Sequence, residues 1–133
     1  MERIPIEPVV YDAGALIAAE AGSRSMRALH SRAVSRRRVV LVPSPVLAQV
    51  WREGGARQAR LAFTLQACAV YAPGEQVAKL AGTLLGRTGT SDAVDAIVVA
   101  TAALAGAEIV TSDPGDLRPL TEAARRTIPL IEV

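Results

Sequence analysis

Short β-branched runs alternate with helical segments along this 133-residue chain, and that alternation limits its fold more than any other feature. "PVVYDA" (8–13), "RVVLVP" (38–43), "AVYA" (69–72), "AEIVTSD" (107–113) and "IPLIEV" (128–133) read as strands. Helical stretches fill the intervals: "GALIAAEAG" closed by Gly22, residues 23–37 capped by Ser23, 44–53, 56–67, 74–86, 92–105 closed by Gly106, and a short helix in "PGDLRPLTEAARR". In "SPVLAQVWREGG", Ser44 is the expected cap, Pro45 the first helical residue and Gly54-Gly55 the stop. Strands separated by helices pair in parallel, with crossover helices on both sheet faces. The chain therefore reads as α/β: a single domain over 1–133, an α/β/α sandwich around a central parallel sheet of four or five strands. No linker, repeat or low-complexity tract divides it.

Half the residues are apolar, yet only Tyr11, Trp51, Phe63 and Tyr71 are aromatic, so the core must be built from Ala, Val, Leu and Ile. Cys68 is the lone cysteine, which excludes an intrachain disulfide and a cysteine-based zinc site and fits a reducing compartment. It reads as a small buried hydrophobe after a helix. The segment "MERIPIEPVV" has the acids and prolines that a signal peptide lacks. No stretch approaches the roughly 18 apolar residues of a membrane span. These features predict a soluble, cytoplasmic protein with no membrane partner.

The net charge of +2 conceals a strong asymmetry. Residues 21–60 carry nine arginines (Arg24, Arg27, Arg32, Arg36, Arg37, Arg38, Arg52, Arg57 and Arg60) against one acid, Glu53, a net of +8 that leaves −6 for the rest. A basic segment beside an acidic remainder points to a polyanionic partner and a separate carboxylate cluster, or else to a solvated arginine face.

In parallel sheets ligands bind beyond the carboxyl ends of the strands, at the switch in strand order. Asp12 closes the first strand and Asp113 the fourth, so adjacent strands would bring both to one edge. Asp92 and Asp95 stand at i and i+3 near the start of the apolar helix that leads into the Asp113 strand. Asp116 lies on the loop leaving that edge. Singly, each acid has a plainer role as a helix cap or turn residue. Jointly, carboxylates this close stay ionised only with compensation, and an all-oxygen set of aspartates suits Mg²⁺ or Mn²⁺. The single histidine, His30, lies in the arginine-rich helix and reads as a surface residue, not a zinc ligand or general base.

Metal-held carboxylates flanked by arginines suit phosphodiester hydrolysis, with Arg52, Arg57, Arg60 and the 24–38 helix holding backbone phosphates. Strong base readout is not visible with so few aromatics.

At these residues the sequence resembles the PIN-domain family. "VVYDAGALIA" is similar to its first motif, a hydrophobic strand ending in Asp before a small residue and a helix. "DAVDAIVVATAALAGAEIVTSDPGDL" is similar to its third and fourth motifs, and the order and spacing cover 8–133. The resemblance implies an α/β/α fold and a Mg²⁺/Mn²⁺-dependent ribonuclease with Asp12, Asp95 and Asp113 as catalytic metal-site acids and Asp92 and Asp116 nearby. It also implies a VapC-type toxin, a homodimer, an RNA substrate and a cognate antitoxin. One position departs: the second motif places a Glu on the helix after the second strand, where this chain has Gln49. Glu53, one turn later on the expected helix, is a substitute acting through water or else the partner of Arg52 or Arg57.

A module of the same fold with weakened catalysis that binds RNA or a protein is the competing reading, and Gln49 is its main support. Phosphoryl transfer through Asp12 is disfavoured, because "DAGAL" lacks a second acid two residues on and no glycine-rich phosphate cradle is present.

Overall fold

The computed structural model describes residues 7–133, so the first six residues, and the part of the N-terminal reading that falls on them, lie outside the described residues. Five strands form one parallel sheet in the order β3-β2-β1-β4-β5. They are β1 (Val9–Tyr11), β2 (Val40–Pro43), β3 (Ala69–Tyr71), β4 (Glu108–Thr111) and β5 (Leu130–Glu132). Register pairs Val10 with Leu41 on one side and with Ile109 on the other. The order therefore reverses at β1 and β4, which sit side by side at the centre.

All three residues of β1 are buried, as a strand covered on both faces requires. Among the described residues seven helices pack in two groups. Helix α1 (Ala13–Glu20) contacts α2 (Arg24–Ser35), α3 (Ser44–Val50) and α4 (Gly55–Leu65), while α5 (Glu75–Thr88), α6 (Ala93–Ala105) and α7 (Pro114–Ala123) contact one another. Both α1 and α6 lie against the sheet. Helix α6 is apolar nearly all round and buries Ala96 and every residue from Val98 to Ala103, which is what a helix inside the core requires. It stops at Gly106, whose φ of 66° is the left-handed conformation that glycine adopts without strain. Ser23 caps α2 by accepting the Met26 N–H at 3.3 Å.

The third helix departs from expectation. It ends at Val50, Pro43 occupies the cap position without a side-chain bond, and Trp51 turns extended. The Arg52 N–H is taken at 2.7 Å by the side-chain oxygen of Gln58, a buried residue of α4, so the backbone leaves the helix for a tertiary partner. Gly54 and Gly55 stop nothing: with φ of 80° and 89° they lead into α4. Glu53 consequently lies exposed in the connecting loop, not one turn on along a helix face. His30 also differs from its reading as a surface residue: it is half-buried and its Nδ1 bonds the Tyr11 hydroxyl at 2.8 Å. Burial lowers its pKa below the usual histidine value. Cys68 is partly buried, its thiol pushed up to about 12 by desolvation.

Candidate metal centre

Asp12 follows β1 directly. Its N–H donates to Val110 O of the neighbouring strand at 3.2 Å, and its Oδ1 accepts the Ala15 N–H at 2.8 Å, capping α1. The side chain is buried, and desolvation raises its pKa above the ordinary carboxylate value. Hydrogen bonding from Thr111 and from the Ala15 and Gly14 amides opposes that rise, and the Asp113 charge adds to it. The close fit explains the small residues after Asp12: a Cβ on Gly14 would collide with the Ser112 side chain and come within 3.0 Å of its backbone nitrogen.

Thr111 ends β4 almost wholly buried, and its hydroxyl accepts the Asp113 N–H at 3.1 Å. Asp113 stands at the start of α7 with no capping bond from its side chain, which leaves its carboxylate uncommitted and exposed. Asp116 lies in the first turn of the same helix. Across the edge, Asp92 caps α6 by accepting the Asp95 N–H at 3.0 Å. Asp95, half-buried, is pushed up to about 7 by desolvation, then by the charge and hydrogen bonding of Asp92, then by the charges of Asp12 and Asp116. The acids of β1, α6 and α7 are therefore within electrostatic reach of one another at the carboxyl edge of the sheet.

Among the described residues no three His, Cys, Asp or Glu side chains form a ready-made metal cage. Asp12 and Asp92 each have one oxygen occupied in capping a helix. The donor chemistry nevertheless fits a hard divalent cation: every group is a carboxylate, and a cation would offset the negative charges of Asp92, Asp12 and Asp116 that add to the desolvation of Asp95.

The three arginines expected to hold substrate contact the far end of α1 and the end of α3. Arg57 pairs with Glu20 at 3.5 Å and Arg60 donates to the Glu20 carbonyl at 2.8 Å. Glu20 closes α1, eight residues from Asp12 and so about 12 Å along the helix. Arg52 folds back on its own helix end, donating to Trp51 O at 2.6 Å. Gln49 is exposed on α3.

A family model described as PIN domain matches residues 9–118, most of the chain. The chain belongs to the PIN-domain family. Among matching solved structures is a chain from the crystal structure of VapBC2 from Rickettsia felis bound to a DNA fragment from their promoter. It superposes with a TM-score of 0.73 over 94% of this chain and 98% of its own, at 14% identity, a likeness of fold. No curated protein sequence matches. The five-stranded parallel sheet is thus the PIN fold, and the edge just described is the one at which β1 and β4 meet. Among the described residues no helix is long and apolar enough to cross a membrane.

Two residues of this PIN domain, Thr111 at the edge and Gln58 behind it, escape a search for acids alone. Thr111 supports both Asp12 and Asp113, and the Thr-x-Asp spacing of "TSD" was its sequence signal. Gln58 joins Glu20, through its Nε2 at 2.6 Å, to the Arg52 amide. No local pattern announces that link.

Proposed function

We propose that this PIN-domain chain is an endoribonuclease dependent on Mg²⁺ or Mn²⁺, the toxin member of a VapBC-like pair. The observation that carries the reading is the placement of Asp12 and Asp113 just beyond the ends of adjacent central strands, with Asp95 within electrostatic reach of Asp12. Asp12, Asp95 and Asp113 would hold the ion, with Asp92 and Asp116 adding negative charge around it. When bound, the ion supplies an activated water and neutralises charge that develops on the phosphodiester. The chain's own part is positioning. Thr111 and the α1 amides orient Asp12, Asp92 caps the first turn of α6 that carries Asp95, and burial places Asp12 at low dielectric. Exposed arginines such as Arg24, Arg27 and Arg32 on α2, with Arg52, Arg57 and Arg60, would attract the RNA backbone. A cognate antitoxin, a homodimer and a cytoplasmic location complete the proposal, supported by the fold shared with the VapBC2 chain.

One observation favours a second reading, a PIN module that binds RNA or protein with weakened catalysis. Gln49 is neutral, and Glu53 sits off the helix in the loop, so α3 brings no carboxylate to the edge. Cleavage of a structured RNA pool with Mn²⁺, with Mg²⁺ and with EDTA, beside Asp12→Asn, tests the choice. Metal-dependent cleavage lost in the variant supports the nuclease; RNA binding without cleavage by folded, antitoxin-free protein supports the module.

A further inference from the structure

Trp51 is the single tryptophan of the chain and is 46% exposed. Its backbone is nonetheless fixed. The Trp51 N–H donates to Leu47 O at 2.8 Å, its carbonyl accepts from Arg52 Nη1, and the following amide is held by Gln58. A large aromatic on so constrained a backbone is pre-organised for a ligand, because little ordering remains when one binds.

The indole borders a shallow hollow of about 380 Å³, lined with Ser44, Leu47 and Ala48. With Trp51 these residues follow the spacing of one helix face, so the hollow runs the length of α3. Ser44 follows β2, the strand paired in parallel with β1, so α3 starts at the carboxyl end of the strand next to the one that ends at Asp12. The hollow thus begins next to the Asp12 strand and reaches Trp51 about 10 Å away. At that far end stands the exposed guanidinium of Arg52. A flat apolar surface beside a cation, on the helix that leaves the strand neighbouring the Asp12 strand, fits an anion that carries a planar apolar group. A second copy of this chain fits less well, since four side chains fall far short of the roughly 20–30 residues per side of a stable interface.

We infer that Trp51 is a stacking platform for an unpaired base of an RNA strand whose phosphodiester lies at the carboxylate edge. It is a positioning residue, and the inference rests on the ribonuclease reading. The base lies on the indole while Arg52 faces the adjoining phosphate, so strand position is set without reading base identity.

Because Trp51 is the sole tryptophan, its emission reports the contact directly. An unstructured oligouridylate, fluorescently labelled, is titrated into the full chain in EDTA, with RNA anisotropy and tryptophan emission followed together. Saturable quenching that tracks the anisotropy is expected. Trp51→Ala should bind about tenfold more weakly, Trp51→Phe should recover part of that loss, and with Mn²⁺ the Ala variant should raise KM while kcat stays unchanged. Circular dichroism establishes that both variants are folded. RNA binding with unchanged emission, or equal affinity in Trp51→Ala, overturns the platform and leaves the ribonuclease reading standing. Emission that varies with protein concentration and not with RNA overturns it in favour of a contact between copies. No RNA binding and no metal-dependent cleavage by the wild-type chain overturns the platform and the ribonuclease reading together.

Discussion

The hydroxyl of Thr111 accepts the Asp113 N–H at 3.1 Å and opposes the rise in the pKa of the neighbouring Asp12, so one buried side chain acts on acids beyond two neighbouring strands. Thr111→Val keeps the shape and removes the hydroxyl. Leaving the buried Asp12 short of a donor should lower stability by about 1–3 kcal/mol. Mn²⁺ affinity should fall about 10–100-fold, as for other losses of a group that orients a metal ligand. Calorimetric Mn²⁺ titration beside thermal unfolding checks both; unchanged Mn²⁺ affinity removes Thr111 from the site.

Asp12 both caps a helix and offers a carboxylate, and Asp12→Asn separates the two roles. Asparagine caps a helix start as well as aspartate does. The variant should therefore unfold within a few degrees of wild type while losing metal-dependent RNA cleavage. Asp12→Ala, which removes the cap as well, should cost about 1 kcal/mol more. Equal activity in Asp12→Asn and wild type would count against the proposed centre.

Asp95 gives a pH signature. Its folded pKa of about 7 lies above its ordinary value near 3.8, so the folded chain binds the extra proton between those limits. Stability should then decrease as pH rises from about 4 to about 7 and level off above, the sign opposite to that of a salt-bridged acid. Asp95→Asn should flatten this slope in the metal-free protein and weaken Mn²⁺ binding. Urea midpoints across pH 4–8 decide it; parallel slopes in the two proteins would show that Asp95 does not carry the effect.

Gln49 is exposed on α3, so replacing it with a charged residue costs little folding energy. If the edge lacks one carboxylate, Gln49→Glu should raise Mn²⁺ affinity and cleavage about tenfold or more. Glu53→Gln should change neither, because that residue sits in the loop after α3. An inert Gln49→Glu would place position 49 outside the centre.

Gly14 approaches Ser112 too closely for any Cβ. Gly14→Ala should destabilise by about 1–3 kcal/mol through overpacking, and cleavage should fall further because Ser112 adjoins Asp113. Pairing it with Ser112→Gly, which removes the colliding side chain, should recover part of both losses in thermal unfolding and activity assays.

Strand alternation predicted a parallel α/β sheet, because period and breakers are local properties, and all five strand segments are present. Adjacency of β1 and β4 is a matter of topology, which no local period carries, and it is the condition that brings Asp12 and Asp113 to one edge. The early end of α3 was illegible for a plain reason: Gln58, six residues beyond the Arg52 amide it accepts, competes with the helix through folding. The same holds for Arg57 and Arg60, whose sequence shows charge but not that Glu20 binds them. His30 reads as a surface residue because its neighbours are arginines, yet its partner is Tyr11, nineteen positions earlier.

The placement of β1 has a consequence for the timescale of motion at the edge. It is three residues long, yet it has a parallel partner on each side and no exposed edge. Opening it means parting two ladders at once, which approaches global unfolding. The amide protons of Val10 and Tyr11 should therefore be among the slowest in the molecule to exchange with deuterium. Asp12 begins where that protected segment ends, so its backbone inherits the lifetime of the whole fold, whereas Asp92 and Asp113, at helix starts on the surface, can adjust while it stays still.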